Sequence, residues 1–562
     1  MPRVNSPAEL EELRKDILSR RDPQKPCVAV CGGTGCHALG NRKVISALQK
    51  EIAGRSLTAG VDVKETGCAG FCGQGPVVVV HPEQICYVGV TPEDAADIVS
   101  QTVVGKKVID RLVYADPVTG ERTVHESDIP FYKKQMRLLT GDNGKIDPKN
   151  IEDYLAIGGY SALVKALSMS PEQVVSEIRS SGLRGLGGAG ASAAMKWDAC
   201  RKAEGETKYI ICNSHEGDPG SFADRRVMES NPHNLLEGMI IGAYAMGANE
   251  GYIFVGDEFP LTVENTRAAI KQAEEYGLLG KNVLGSGLNL NMQVTIDGGV
   301  YVCGESTAIM AAIEGRVGEP WSKYDHATEH GLYAKPTGLN NTQTWALVPS
   351  IINMGGEQFG KVGTQRSKGT RVFSLVGEVN NTGLVEVPMG MTLRDVIFGI
   401  GGGMREGKKF KAVLVGGPMG AFLPESLLDV TVDFDEFKKA GGSMGPSLIV
   451  MDENTCMLDM AEYFLTFLSD GSCGKCTPCR EGLRQMLKTT NRIKAGKGAR
   501  GDLDTLEEIS AVQKVASLCG LGQCASSTLL SALKHFRNEF EAHIDGKRCP
   551  AGVCKILTTA GS

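Results

Sequence analysis

Apolar residues along this chain fall into short runs whose spacing switches repeatedly between strand and helix periods. Pro26-Cys27-Val28-Ala29-Val30 and Val77–Val80 read as buried strands, with an amphipathic helix over 41–53 between them. A charged stretch, 1–26, predicts a helical lead-in, and 27–103 a small α/β unit. The polar stretch 104–130 reads as a linker. The largest block, 131–355, alternates again. Ser170-Pro171-Glu172-Gln173 starts a helix that Gly182 stops, Ala191–Lys202 is helical, Tyr209–Cys212 and Tyr252–Val255 are strands, and 262–276 is a helix. Residues 356–450 are β-rich (Thr370–Leu375, Gly383–Val387, Val413–Gly416) with one helix near 392–399. Residues 451–546 are helical around a cysteine loop, and 547–562 form a cysteine-containing tail. No apolar run reaches the ~18 residues of a membrane span, and no apolar signal stretch opens the chain.

Composition narrows the chemistry. The 562 residues carry a net charge of −6, which argues against a nucleic-acid binder. Glycine, at 71 residues, is about twice as frequent as the usual ~7% and clusters where backbone must approach ligands. Seventeen cysteines in a protein expected to be cytoplasmic point to metal ligation or redox work rather than disulfides.

Three cysteine groups carry that expectation. Cys31-x4-Cys36 and Cys68-x3-Cys72 set four thiolates in two glycine-containing loops, as a [2Fe–2S] cluster requires. Structural zinc and spare thiols are the alternatives, and Cys27 and Cys86 fall outside as core thiols. Cys473-x2-Cys476-x2-Cys479, with Cys519 forty residues on, is the common [4Fe–4S] arrangement, again with zinc as the alternative. Cys524, His543, Cys549 and Cys554 form a looser candidate zinc set, with free thiols as the alternative.

Gly185-Leu186-Gly187-Gly188-Ala189-Gly190 matches G-x-G-x-x-G, but a helix rather than a strand precedes it, so the ordinary dinucleotide fingerprint is rejected. A glycine loop opening a helix still offers amides to a phosphate. Ser181–Gly185, Asp218-Pro219-Gly220-Ser221-Phe222, Tyr301-Val302-Cys303-Gly304-Glu305, Lys335-Pro336-Thr337, Asn340-Asn341 and Ser472–Gly482 follow in order. Together they resemble the family of NADH-binding flavoprotein subunits of respiratory complex I. The resemblance is closest to the flavin subunits of multimeric NAD-linked or electron-bifurcating hydrogenases and formate dehydrogenases. It implies an α/β multi-domain chain: a thioredoxin-like [2Fe–2S] ferredoxin, a Rossmann-like FMN-binding core, a β-grasp SLBB domain and a helical [4Fe–4S] domain. It implies an NADH:acceptor oxidoreductase subunit passing electrons between NAD(H), FMN and the clusters. By motif, the FMN cradle is Gly185, Gly187, Lys196, Asn213, Glu216, Gly304, Glu305, Asn340 and Asn341, with Glu216 and Glu305 near the flavin. The implied partners are a small thioredoxin-like [2Fe–2S] subunit and a catalytic or ferredoxin-type subunit, in a hetero-oligomer that is cytoplasmic or peripheral to a membrane complex.

The departures from the family concentrate on the dinucleotide pocket. Two aromatic positions that sandwich adenine in the family are Ala191 and Ala199, and an acidic position is His215. Ser306 replaces a Glu, while Leu186 and Gln343 replace an Arg and a Glu. Tyr301 belongs to the same pocket, and Pro320-Trp321 occupies the segment of the third aromatic. An aromatic stacked on a base contributes about 1–3 kcal/mol, so dinucleotide affinity is expected to fall. Two readings follow: an NAD(P)H-linked subunit with a divergent pocket, or a non-catalytic relay with a degenerate pocket and even no FMN.

Overall fold

The computed structural model of the protein describes residues 3–322 and 326–554, so 555–562 of the expected tail lie outside the described residues. The lead-in is helix α1 (Pro7–Ser19), capped by Ser6 and burying Leu10, Leu13 and Ile17 along one face. It is tied down rather than free. Arg21 pairs with the buried Asp153 at 2.7 Å, and Lys64 of the neighbouring sheet reaches the same carboxylate at 2.7 Å.

The first unit is a four-stranded mixed sheet, β1 (Cys27–Cys31), β2 (Asp62–Thr66), β3 (Val78–His81) and β4 (Ile85–Tyr87), in the order β2-β1-β3-β4. Helix α2 (Asn41–Gly54) covers it with Val44, Leu48 and Ile52, spaced four apart on one face. The 104–130 segment is not a loose linker. It holds a hairpin, β5 (Tyr114–Ala115) and β6 (Arg122–Thr123), bridged to the first unit through Tyr87 and Val113. Ile109, Leu112 and Val113 are buried in the same cluster as the sheet, a packing hidden by the polar residues around them.

The central sheet is wholly parallel: β7 (Tyr209–Ser214), β8 (Glu250–Gly256), β9 (Asn291–Asp297) and β10 (Thr337–Asn341), in the order β10-β7-β8-β9. Around it stand α3 (Pro171–Ser181), α4 (Ala193–Lys202), α5 (Ala223–Ser230), α6 (Pro232–Met246) and α7 (Pro260–Glu275). The expected capping box on α3 is present between Ser170 and Gln173, and Gly182 ends the helix at φ +66°. Helix α4 begins two residues later than the sequence suggests because the Ser192 side chain caps it, accepting from Met195 N. The short helix Gly356–Phe359 is bonded to α3 through Gly356 N and Glu177, 2.6 Å apart, so it joins the core block rather than the β-rich one. Two further helices of the core block are α8 (Ser306–Ile313) and α9 (Thr342–Ala346).

The β-rich unit orders β11 (Thr370–Gly377), β12 (Gly383–Pro388), β13 (Phe410–Val415), β14 (Ala421–Pro424) and β15 (Ser447–Asp452) as β12-β11-β15-β13-β14. A central parallel pair, β11 with β15, flanked by antiparallel neighbours gives the β-grasp. Its expected helix is a π-helical segment, Asp395–Ile400, and a second helix spans Phe434–Lys439.

The C-terminal unit packs α10 (Met457–Asp470), α11 (Thr477–Lys494), α12 (Gly501–Ala516), α13 (Gly520–Cys524) and α14 (Ser527–Ile544) around one apolar cluster. Among the described residues, no helix is long and apolar enough to cross a membrane.

Candidate functional site

The glycine loop 185–190 joins α3 to α4 at the β10 edge of the parallel sheet. It is pinned by Gly185 N to Ala191 O at 2.7 Å and by Leu186 N to Thr344 Oγ1 at 2.9 Å. The fully buried Arg371 donates to Leu186 O at 2.6 Å. Gly190 needs its missing side chain: φ is +66°, and a Cβ would meet the Phe434 ring at 2.7 Å and Arg184 Nη2 at 2.9 Å.

Lys196 rises from the first turn of α4 under this loop. Among the described residues its ammonium meets only neutral acceptors, Leu339 O at 2.9 Å and Asn340 Oδ1 at 2.5 Å. Burial without a counter-charge pulls it down to about 8. The Asn340 amide nitrogen is buried and unpartnered. A half-buried cation with no anion among the described residues, and an orphaned donor beside glycine amides, fit a phosphate-bearing cofactor such as FMN.

The other cradle residues divide into two groups. Asn213 at the end of β7 donates to Gly304 O at 3.0 Å and accepts from His215 N at 3.1 Å. The Glu216 carboxylate accepts the first amides of α5, Asp224 N at 2.9 Å and Arg225 N at 3.0 Å. Burial, then the Asp224 charge, pushes Glu216 up to about 8, and burial raises Asp218 to about 6. Asn341 is already occupied, capping α9 through Gln343 N and donating to Asp224. Glu305 likewise caps α8, accepting from Thr307 N at 2.8 Å and from Ser306 Oγ at 3.0 Å. The Gln343 side chain, absent from the motif-based cradle, donates to Asp224 Oδ1 at 2.8 Å and accepts from Val372 N at 3.1 Å, which joins the core to the β-grasp unit.

The divergent positions lie in two places. Ala191 and Ala199 are exposed, with Met195 between them 72% exposed. The His215 ring is buried against Phe254, 3.5 Å from Asp297 Oδ2, and burial lowers its pKa, so it is neutral at pH 7. Tyr301 donates to Asp218 and packs edge-on against Phe467 of α10. Trp321 is half-buried with the Arg316 guanidinium 4.9 Å from its ring centre.

Cys31 closes β1, Cys36 lies in the short helix that follows, and Cys68 and Cys72 come from the loop after β2. Cys31 interacts directly with Cys36 and Cys68, and Cys68 with Cys72. Hydrogen bonding from the neighbouring thiol, with burial, pushes Cys68 up to about 12. Such crowding of neutral thiols is relieved when metal displaces their protons. Ala69 N donates to Cys31 Sγ at 3.4 Å, the amide-to-sulfur contact expected at a cluster. Cys27 and Cys86 stay outside this group.

Cys476 caps α11, Cys479 lies in its first turn, and Cys519 caps α13. Cys473 is exposed while Cys479 is buried, so this centre faces solvent on one side. Burial raises Cys479 to about 11, with the Cys476, Cys519 and Cys473 charges adding to it. Lys475 in the loop pairs with Glu319 at 2.8 Å, fastening it to the Trp321 segment.

The third group assembles with one exchange. Cys456, His543, Cys549 and Cys554 place their donor atoms within 4.8 Å of one another. Cys524 is exposed at the end of α13 and does not take part. Cys456 stands 87 residues before His543 in sequence, so spacing alone holds no sign of it. His543 Nδ1 is held by Glu539 O at 2.7 Å, which aims Nε2 toward Cys456 Sγ at 3.8 Å. The Cys554 thiol lowers Cys456. Burial disfavours a charged His543, but Cys456 and the Glu539 carbonyl together outweigh it and raise the imidazole to about 9.

Comparison with known proteins agrees with this layout. Family models match the Nuo51 FMN-binding domain over 178–350, the NADH-ubiquinone oxidoreductase-F iron-sulfur binding region over 459–543, the thioredoxin-like [2Fe-2S] ferredoxin over 16–103 and the SLBB domain over 372–423. The NADP-reducing hydrogenase subunit HndC of Solidesulfovibrio fructosivorans is 46% identical over 76% of this chain and 87% of its own. A NADH-quinone oxidoreductase-F chain of Rhizobium meliloti is 43% identical over 71% of this chain and 96% of its own. Its Escherichia coli counterpart is 39% identical over 71% and 90%. A chain of an NAD+-reducing [NiFe]-hydrogenase shares the fold at a TM-score of 0.66 with 24% identity, covering 96% of this chain and 90% of its own.

Proposed function

The chain belongs to the NADH-quinone oxidoreductase-F family with its hydrogenase counterparts, the flavin and iron–sulfur electron-transfer subunits of multi-subunit complexes, and on that premise we propose how its own residues serve the reaction. The observation that carries the reading is Lys196, a half-buried residue whose ammonium has, among the described residues, neutral partners only, set beneath the glycine loop. It holds the FMN phosphate together with the loop amides, and Asn340 Nδ2 supplies a further donor. Bound there, FMN supplies the exchange between two-electron hydride chemistry and one-electron transfer. Glu216, protonated at neutral pH, and the neutral His215 keep the cradle floor uncharged beside it. Arg371 beneath them balances Asp224. Cys31, Cys36, Cys68 and Cys72 hold the [2Fe–2S] cluster, and Cys473, Cys476, Cys479 and Cys519 the [4Fe–4S] cluster.

NADH or NADPH is the proposed hydride partner. Its adenine lies along the exposed face carrying Ala191, Met195 and Ala199, where a thioether replaces an aromatic sandwich. Weaker dinucleotide binding than with stacked rings is expected, and an active subunit is favoured over a passive relay. The Cys3His set Cys456, His543, Cys549 and Cys554 suits a structural thiophilic metal such as zinc. We place the chain in the cytoplasm or on a membrane-peripheral complex. The partners are a small thioredoxin-like [2Fe–2S] subunit and a catalytic or ferredoxin-type subunit that meets the exposed Cys473 face.

Anaerobic titration of the reconstituted chain tests the proposal. NADH or NADPH should bleach the flavin band. A flavin that dithionite reduces and neither nucleotide does would overturn it.

A further inference from the structure

Helix α5 links two sites through its two ends. Its first amides, Asp224 N and Arg225 N, bind Glu216 in the cradle. Its last residues reach the cysteine loops of the ferredoxin unit. Ser230 Oγ accepts from Cys68 N at 2.8 Å, and the Glu229 carboxylate accepts from Thr34 Oγ1 at 2.6 Å and Thr34 N at 3.2 Å. The approach is as close as backbone permits: a Cβ on Gly67 would lie 2.5 Å from Ser230 Cα. The two sets of contacts lie on one eight-residue helix, about five residues or ~7.5 Å apart along its axis.

Arg226 sits within this junction, 5% exposed. It pairs with Glu229 through Nη1, while its Nε is buried without a partner. Nη2 lies against the cluster loop, 3.4 Å from where a Gly35 Cβ would stand. Nη1 is spent on Glu229, so Nη2 is the nitrogen turned to the Cys31–Cys36 loop. The guanidinium therefore lies against the loop that carries Cys31 and Cys36, next to Gly35.

We propose that Arg226, a residue of the flavin core, sets the reduction potential of the [2Fe–2S] cluster in the docked ferredoxin unit. Reduction adds one negative charge to a centre that is already anionic. Inside the protein, a neighbouring cation favours that extra electron and shifts the potential upward, while loss of solvent works the other way. The potential is then a property of the docked pair of units and not of the ferredoxin fold alone. Arg226 is a positioning residue, acting through charge and not through contact with substrate. The inference rests on the [2Fe–2S] assignment to Cys31, Cys36, Cys68 and Cys72.

The test is an EPR-monitored redox titration of the full reconstituted chain. Arg226→Gln should shift the [2Fe–2S] midpoint to more negative potential, Arg226→Lys should stay near the parent, and Glu229→Gln should shift it positively. The [4Fe–4S] midpoint should not move in any of them, which separates a local charge effect from general loosening. Removing one partner of a buried pair is destabilising. If Arg226→Gln fails to load its cluster, the opposite shift in Glu229→Gln decides, and an unmoved midpoint there would overturn the proposal. Both clusters loaded with the [2Fe–2S] midpoint unchanged in Arg226→Gln would also overturn it. A parent chain with no [2Fe–2S] signal would instead remove the assignment on which it rests.

Discussion

Lys196 shows how one residue can be poised for a ligand. At a usual lysine pKa it would remain charged far above neutrality, but burial brings it to about 8. Pairing with a phosphate requires the charged form, so binding above that pH must take up a proton. FMN affinity of the deflavinated chain should fall as pH rises above 8, by up to about tenfold per unit from this lysine. Flavin fluorescence quenching measures this. Lys196→Met should lessen the loss above pH 8 and weaken binding by about 10- to 150-fold, the equivalent of about 1.5–3 kcal/mol for a charge-assisted hydrogen bond. At Glu216 the pKa moves the other way. Its pKa is raised on folding, so its contribution to stability is full below the unfolded value and is lost as pH rises toward 8.

At the scale of elements, the C-terminal unit brings together a cluster of Cys and His donors drawn from both of its ends. Cys456 precedes α10, His543 lies in the last turn of α14, and Cys549 and Cys554 follow it. Elemental analysis should find one non-iron metal per chain. Cys456→Ser should lose it and lower the melting temperature of this unit, whereas Cys524→Ser should leave metal content unchanged. Retention in the first variant, or loss in the second, would refute the donor set. The end of α3 offers a separate check. Gly182 has φ +66°, and a Cβ there would lie 2.7 Å from Lys368 Cγ. Gly182→Ala should destabilise the chain by about 1 kcal/mol or more in denaturant unfolding.

Across the whole molecule, buried carboxylates fasten one unit to the next. Glu386 of β12 is fully buried and accepts from Leu139 N at 2.9 Å, from Thr140 N and Oγ1 at 2.8 Å each, and from Thr370 Oγ1 at 2.6 Å. Removing it leaves these donors unpaired at roughly 1–3 kcal/mol each. Glu386→Ala should detach the 131–146 segment, seen as new protease cleavage there and a lower unfolding midpoint. Asp153 joins the lead-in helix to the first sheet in the same way, through Arg21 and Lys64.

The sequence by itself determined the order of units, the strands and most helix limits. It also singled out eight cysteines as candidate cluster ligands, because local spacing carries such information: hydrophobic period, caps at Ser170 and Gly182, and close-set cysteines in glycine loops. Tertiary structure decided what depends on residues distant along the chain. Cys456 replaced Cys524 because side-chain proximity across 87 residues leaves no trace in spacing. Asn341 and Glu305 proved to be helix caps as well as motif residues, since neighbouring backbone amides compete for the same oxygens. The hairpin in 104–130 formed because a few apolar residues found a cluster already built by the first sheet. The junction of Arg226 with the ferredoxin loops exists only once two units dock, and a charge buried there acts through space, not along the chain.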